Sequence, residues 1–218
     1  TDDKAFRDIL VALGFGTNWE SGMPGGISGV LKPVESWSGR TKATISFGQE
    51  LGVTALQLAT AATAIANGGD LMQPYIIRNV RSHDGTVVLY TEPTIARKSV
   101  ITREVASTVL AGMEKATMTG GTATKVAVNG VRVAAKTGTA QMADPVTGNY
   151  RSDAFLASTL AIVPADDPAY VIYIGVANPT GATIWGSNIA APAIGSIIAD
   201  MVRQGKIRSS AVGTITVR

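Results

Sequence analysis

The chain has 218 residues, with 24 Gly, 9 Pro, a single His and no Cys. That length suffices for one core-forming domain or a tight two-layer unit, and 45% hydrophobic against 16% charged residues excludes a disordered protein. Without Cys there are no disulfide scaffolds, thiolate zinc sites or Cys nucleophiles, the lone His83 excludes a multi-His metal centre, and a formal charge of +3 from scattered Lys and Arg describes a solvated surface rather than a nucleic-acid footprint.

In chain order, Phe6, Ile9, Leu10 and Leu13 recur on one helical face that Gly14 stops. Residues 14–40 are rich in Gly, Ser and Pro yet carry Trp19, Val30, Leu31 and Trp37, which predicts an ordered loop rather than a linker. Thr54 at N-cap and Gln57 at N3 form a capping box. The helix it opens, to about Asn67, is Ala-rich, apolar almost all round and therefore buried, and Gly68-Gly69 ends it. Segments 75–82 and 86–90 flank His83-Asp84-Gly85, a hairpin signal that also makes His83 a turn residue and a poor candidate for a Ser-His-Asp triad. Thr102 caps a further helix with Val105, Val109, Leu110 and Met113 on one face. Three strand-like runs follow at 131–139, 155–163 and 170–178, the last two joined by six residues, short enough for an antiparallel hairpin. Pro192 in a first-turn position opens the last helix, with Ile194, Ile197, Ile198, Met201 and Val202 as its apolar stripe and Gly205 as its stop. Residues 214–217 alternate and read as an edge strand. No apolar run approaches the roughly 18 residues that span a bilayer. Helices mixed with a mainly antiparallel sheet give an α/β chain of the α+β type.

The chemistry lies in Lys136-Thr137-Gly138-Thr139, at the end of a strand-like run. A strand end presents backbone N–H groups, and Gly138 permits close approach of a ligand. Thr137 and Thr139, two apart, turn their hydroxyls to one side, and Lys136 supplies a charge that holds a carboxylate or lowers the pKa of a neighbouring hydroxyl or amine. Lys-Thr-Gly is the third element of the serine β-lactamase and penicillin-binding group, after Ser-x-x-Lys and Ser-x-Asn. Neither of those occurs in this chain. Thr122-Ala123-Thr124-Lys125 and Ser187-Asn188 come nearest, with the wrong residue or the wrong spacing.

Beyond the tripeptide, Lys136-Thr137-Gly138-Thr139-Ala140-Gln141 resembles the box of class B (monofunctional) penicillin-binding proteins, the cell-wall transpeptidases. Ser46-Phe47-Gly48-Gln49, Val53-Thr54, Leu56-Gln57-Leu58-Ala59 and Ile65-Ala66-Asn67-Gly68-Gly69 are similar to that family's stretch between its second and third motifs. Leu13-Gly14-Phe15-Gly16 and Met23-Pro24-Gly25 match its opening, and Ala190-Ala191-Pro192 its close, in the family's order from about residue 9 to 204. Ala135 stands where the family usually has Gly before the Lys, and Glu50 where Gly is common.

The resemblance implies the penicillin-binding transpeptidase and serine β-lactamase-like fold, a five-stranded antiparallel sheet with helices on both faces, of which this chain supplies the C-terminal portion over residues 1–208, with 209–218 as a tail or edge strand. It implies a D,D-transpeptidase in which a Ser outside this chain attacks the penultimate D-Ala carbonyl of a peptidoglycan stem peptide, D-Ala leaves, and an amine of a neighbouring stem resolves the acyl-enzyme. β-Lactam antibiotics are trapped on the same Ser. Lys136 would hydrogen-bond the serine of Ser-x-Asn and favour the proton shuttle. Thr137 and Thr139 would bind the terminal carboxylate, the Thr139 N–H would be one oxyanion donor, Gly138 would leave room, and Gln141 completes the box. No metal or organic cofactor is implied. The partners are the stem peptide ending in D-Ala-D-Ala, β-lactams, and an N-terminal part carrying Ser-x-x-Lys and Ser-x-Asn, with a membrane anchor that places the domain on the extracytoplasmic (periplasmic) face. A non-catalytic penicillin-sensing or structural relative and a serine β-lactamase are the rival readings.

Other motifs point elsewhere. Gly120-Gly121-Thr122-Ala123-Thr124-Lys125 fails the P-loop because Lys does not follow Gly directly, and Gly14-Phe15-Gly16 does not extend to a dinucleotide fingerprint. Asp166-Asp167, framed by Pro164 and Pro168, reads as a surface turn. The loop 141–151, with Asp144, Asn149, Tyr150 and Arg151, lines the acceptor-strand entrance or is an ordinary solvated loop. Trp19, Trp37 and Trp185 read as packing residues rather than sugar platforms.

Overall fold

The computed structural model describes residues 2–144 and 146–208, so the anticipated edge strand at 214–217 lies outside the described residues. The chain divides into two units, residues 1–107 and 108–218, with the boundary inside a helix.

In the first unit, α1 (Asp3–Ala12) starts where the Asp2 carboxylate accepts the Ala5 N–H at 2.6 Å and ends at Leu13, before Gly14 at φ +94°. Its apolar face is only partly covered, with Ile9 44% exposed, while Leu13 packs on a core of Trp19, Ala64 and Leu71. Arg97 ties the two together. Its guanidinium lies 5.6 Å from the Trp19 ring centre and donates to the Val11 and Ala12 carbonyls, so a cation sits at the carbonyl end of α1.

Segment 14–40 is ordered, as its apolar residues predict. Val30 and Gly52 form a two-way backbone bridge, and Trp37 meets Phe6 edge-on. After the short helix α2 (Thr41–Ser46), Glu50 adopts φ +57°, the region glycine tolerates best, which fits a position where Gly is common. The Thr44 and Thr41 hydroxyls hold its carboxylate at 2.9 Å each and lower its pKa.

The capping box at α3 (Ala55–Ala66) is present in both directions: Thr54 Oγ1 accepts the Gln57 N–H at 3.1 Å, and Gln57 Oε1 accepts the Thr54 N–H at 2.9 Å. Gln57 does more than cap. It is 1% exposed, and its Nε2 donates to the carbonyls of Thr17 and Ser28 at 2.8 Å each, anchoring the loop to the helix.

Two ribbons complete the unit. β1 (Leu71–Met72) pairs with β4 (Ile95–Arg97), too short to show periodicity in sequence, and β2 (Asn79–Arg81) pairs with β3 (Val87–Tyr90) across the anticipated turn. The predicted strand 75–82 shrinks because Ile76 gives its N–H to the Ser21 carbonyl instead of the ladder. α4 (Arg103–Lys115), capped by Thr102, buries Ala106, while Val105 and Val109 of the predicted stripe stay 47% and 40% exposed.

The second unit is built on three antiparallel strands in the order β5–β6–β7: β5 (Ala134–Ala143), β6 (Tyr150–Val163) and β7 (Tyr170–Ala177). β6 and β7 join through the predicted short turn, in which Asp166 and Asp167 are exposed. β5 and β6 extend further than predicted, so Gln141, Tyr150 and Arg151 are strand residues and the loop read at 141–151 shrinks to a hairpin tip, where the Asp144 carboxylate accepts the Thr147 and Val146 N–H groups. α5 (Gly186–Arg203) covers one face, with Ile194 and Ile198 against Ala135, Ala161 and Val163. Pro192 is not in its first turn but seven residues in. The helix begins at Gly186, and the proline stands inside it. Ile197 of the predicted stripe is 40% exposed.

Replacing Gln57 with Ala removes the reciprocal cap and the donor that holds the Thr17 and Ser28 carbonyls. The expected loss is about 2–4 kcal/mol, read from the denaturant midpoint. A loss under about 0.5 kcal/mol would show that the loop does not depend on this side chain.

Candidate active site

β5 is anchored before it reaches the box. The Thr117 hydroxyl donates to the Val133 carbonyl at 2.9 Å, and Arg132 makes a two-pronged contact with Glu114 at 2.6 and 2.7 Å. Ala134 and Ala135 are fully buried, and the strand surfaces at Lys136. From there the box lies opposite β6 in unbroken register: Lys136 with Leu160, Thr137 with Thr159, Gly138 with Ser158, Thr139 with Ala157, Ala140 with Leu156 and Gln141 with Phe155. Among the described residues β5 has no strand on its other edge.

Strand alternation places Thr137 and Thr139 on the face that carries α5, as the two-residue spacing predicts, and Lys136 and Gly138 on the other. The Lys136 ammonium is exposed and donates to the Thr137 carbonyl at 2.6 Å. Thr137 Oγ1 donates to Thr122 Oγ1 at 3.3 Å, and Thr139 Oγ1 accepts the Gly186 N–H at 3.1 Å. Gln141, at the far end of the box, donates to the Arg151 carbonyl at 3.4 Å. Gly138 has a packing role besides the predicted open space, since a Cβ there would sit 2.7 Å from Ser158 Oγ.

Gly186 is the residue that sequence reading missed. A Cβ on it would fall inside contact distance of the Ser158 and Gly138 carbonyl oxygens, so glycine alone lets the helix start meet the sheet backbone. Its carbonyl also accepts from Thr159 Oγ1 at 3.2 Å, and Thr159 is fully buried. The available signal was the Trp185-Gly186-Ser187 run before an apolar helical pattern, which Pro192 obscured. Thr122 was seen only as part of a failed motif. Lys125, three residues on, donates to Asn188 Oδ1 at 2.8 Å, so its ammonium is engaged there and the pair is no substitute for a Ser-Lys dyad.

The three tryptophans differ. Trp19 is core and Trp37 half-buried, whereas Trp185 is 58% exposed at the N-cap of α5, contrary to the packing role predicted for it. Among the described residues no cluster of three or more His, Asp or Glu is placed to hold a metal ion, and no helix is long and apolar enough to cross a membrane. What the site offers is two directed hydroxyls and an ammonium on one strand, groups suited to a carboxylate.

An antiparallel sheet backed by a helix, with hydroxyls and an ammonium gathered on its outer described strand, defines a mixed α/β domain with a polar sheet margin. The chain belongs to the penicillin-binding protein transpeptidase domain family, whose description matches residues 1–199. It is 35% identical over 198 residues to stage V sporulation protein D of Bacillus subtilis, covering 91% of this chain and 30% of that protein. It is 30% identical to peptidoglycan D,D-transpeptidase FtsI of Escherichia coli K12, covering 97% of this chain and 34% of that protein. Penicillin binding protein 3 of Mycobacterium tuberculosis, solved with ampicillin, superimposes with a TM-score of 0.84 at 29% identity, over 98% of this chain and 48% of that one. The chain thus spans about a third of the length of these curated relatives.

Gly186→Ala should lower stability by about 1–3 kcal/mol through overpacking against backbone. It should also shift the amide resonances of Gly138 and Thr139 more than those of β7. Unchanged resonances in the box would show that α5 does not set its geometry.

Proposed function

We propose that this chain is the C-terminal part of a peptidoglycan D,D-transpeptidase domain, with residues 1–208 forming that part and the serine nucleophile lying outside the chain. The observation that carries the reading is the box itself: Lys136, Thr137 and Thr139 sit in register on an edge strand, with both hydroxyls on one face. It is supported by relatives whose names include peptidoglycan D,D-transpeptidase, and by similar folds solved with ampicillin and aztreonam.

In this reading the D-Ala carboxylate of a stem peptide, or that of a β-lactam, is held by the hydroxyls of Thr137 and Thr139. Gly138 keeps that approach open, and Gln141 continues the same strand along the substrate. The Thr139 N–H is one oxyanion donor, facing the charge that develops on the attacked carbonyl oxygen. Lys136, beside the Ser of Ser-x-Asn, holds positive potential where the attacking serine loses its proton. Serine attack forms the acyl–oxygen bond as the carbon–nitrogen bond to the leaving D-Ala amine breaks. The amine of a neighbouring stem then reverses the sequence with a new peptide bond. The reaction needs no metal or organic cofactor. A membrane anchor on the segment that carries Ser-x-x-Lys would set the domain at the extracytoplasmic face, where peptidoglycan is assembled.

Two labelling outcomes test the reading. The 218-residue chain alone should not be acylated by a fluorescent penicillin, since it contains neither Ser-x-x-Lys nor Ser-x-Asn; a covalent adduct on it would overturn the assignment. In the protein that carries the nucleophile, Lys136→Ala should slow acylation by about 100-fold or more. The melting temperature should stay unchanged, because the ammonium is exposed and bonds only its neighbour's carbonyl among the described contacts. Wild-type labelling in that variant would remove Lys136 from the mechanism, and β-lactam hydrolysis over many turnovers would favour a β-lactamase instead.

A further inference from the structure

Thr137 and Thr139 are equipped alike in one respect: each box hydroxyl has a second hydrogen-bonding group on the protein side. Behind Thr139 is the Gly186 N–H, which fills a lone pair of Oγ1 at 3.1 Å and leaves the hydroxyl proton free for a ligand. Behind Thr137 is the hydroxyl of Thr122, 3.3 Å away and fifteen residues earlier in the chain. We propose that Thr122 is a positioning residue for the substrate carboxylate, acting through Thr137. The inference rests on the box being a carboxylate site.

Without a ligand, Thr137 gives its proton to Thr122. At 3.3 Å this contact is longer than the usual ~2.7–2.8 Å of an O–H···O bond, so little is lost when it reverses. A carboxylate accepts but does not donate, so Thr137 must turn its proton outward to bind one, which leaves it showing an acceptor lone pair to Thr122. The Thr122 O–H then fills that lone pair. The result is a relay, Thr122 O–H to Thr137 O–H to carboxylate, in which each bond polarises the next. No proton leaves either hydroxyl, so charge and atoms balance.

Thr122 is held where such a relay needs it. The Gly121 N–H donates to the Met118 carbonyl at 2.9 Å and the Ala123 N–H to the Ala116 carbonyl at 2.8 Å, pinning the residues on both sides. Ala123 is fully buried, and a Cβ on Gly121 would strike the Ala116 carbonyl oxygen. The Thr122 side chain itself is exposed, so its link to Thr137 is not a consequence of core packing.

A double-mutant cycle on the acylation rate constant for a fluorescent penicillin tests this, in the protein that carries the nucleophile. Thr122→Val should slow acylation by about three- to tenfold, the worth of one hydrogen bond. Thr122→Ser, which keeps the hydroxyl, should stay within about twofold of wild type. In a Thr137→Val background, Thr122→Val should add nothing. A donor peptide whose terminal carboxylate is capped as an amide should react equally with wild type and either Thr122 variant. Additive losses in the cycle, or a wild-type rate in Thr122→Val, would overturn the proposal, and so would an equal loss with the amide-capped donor. Should the Val variant fail to fold, Thr122→Ala, which also removes the hydroxyl, gives the same discrimination with the capped and uncapped donors. If Lys136→Ala and Thr137→Val also react at the wild-type rate, the carboxylate reading of the box falls first; if those two are slow and Thr122→Val is not, only this inference falls.

Discussion

The box depends on how closely the first residue of α5 approaches the backbone of β5 and β6. A helix N-terminus leaves N–H groups without partners, and a side-chain cap normally satisfies one of them. Here the N-cap residue is Trp185, whose side chain has no oxygen to offer, and the Gly186 N–H goes to Thr139 Oγ1 on the neighbouring strand. The Gly186 carbonyl takes the Thr159 hydroxyl from the next strand over. One glycine is thus held on both sides by threonines of the sheet, and any side chain on it would separate them. Thr139 serves as a helix cap supplied from another element. That fixes its rotamer and leaves its proton directed away from the helix.

From that contact the rest of the site follows by strand geometry. Thr139 faces α5, so Thr137 faces the same way, where it meets Thr122, and Lys136 must stand on the opposite face. A single strand therefore divides its functions by parity: hydroxyls on one side, charge on the other, glycine between them. A one-residue slip against β6 would exchange the two sets. The long unbroken register from Ala134 to Gln141, with buried alanines at its start, resists that slip.

The residues of the box were legible in sequence, as were three strand-like runs and the hairpin joining the last two, because Lys-Thr-Gly and apolar runs are local signals. The capping box at Thr54 and Gln57 was legible for the same reason. Its second role was not: Gln57 bonds Thr17 and Ser28, 40 and 29 residues away, and no local pattern encodes such a contact. Gly186 and Thr122 escaped for the same reason, being 47 and 15 residues from the threonines they support. Pro192 was misread because proline at a first helical turn is the common case, and a proline deep in α5 has no separate signature. Strands β1 and β4, of two and three residues, are too short to show any period.

The two kinds of group in the box also differ in how they depend on water. An ammonium as exposed as Lys136 attracts a carboxylate weakly, by about 0.2–1 kcal/mol, while screening persists. The same charge acts several times more strongly once water is excluded. Hydroxyl bonds are directional and short-ranged, and their geometry is set by Gly186 and Thr122 whether or not the site is covered. In the proposed reading, recognition of a carboxylate therefore belongs mainly to the threonines, whose protein-side contacts are built into the fold of this unit. The leverage of Lys136 on a proton transfer is set instead by whatever closes over the strand edge. Changes behind the threonines should then alter which ligands bind, and changes in covering should alter how fast a bound ligand reacts.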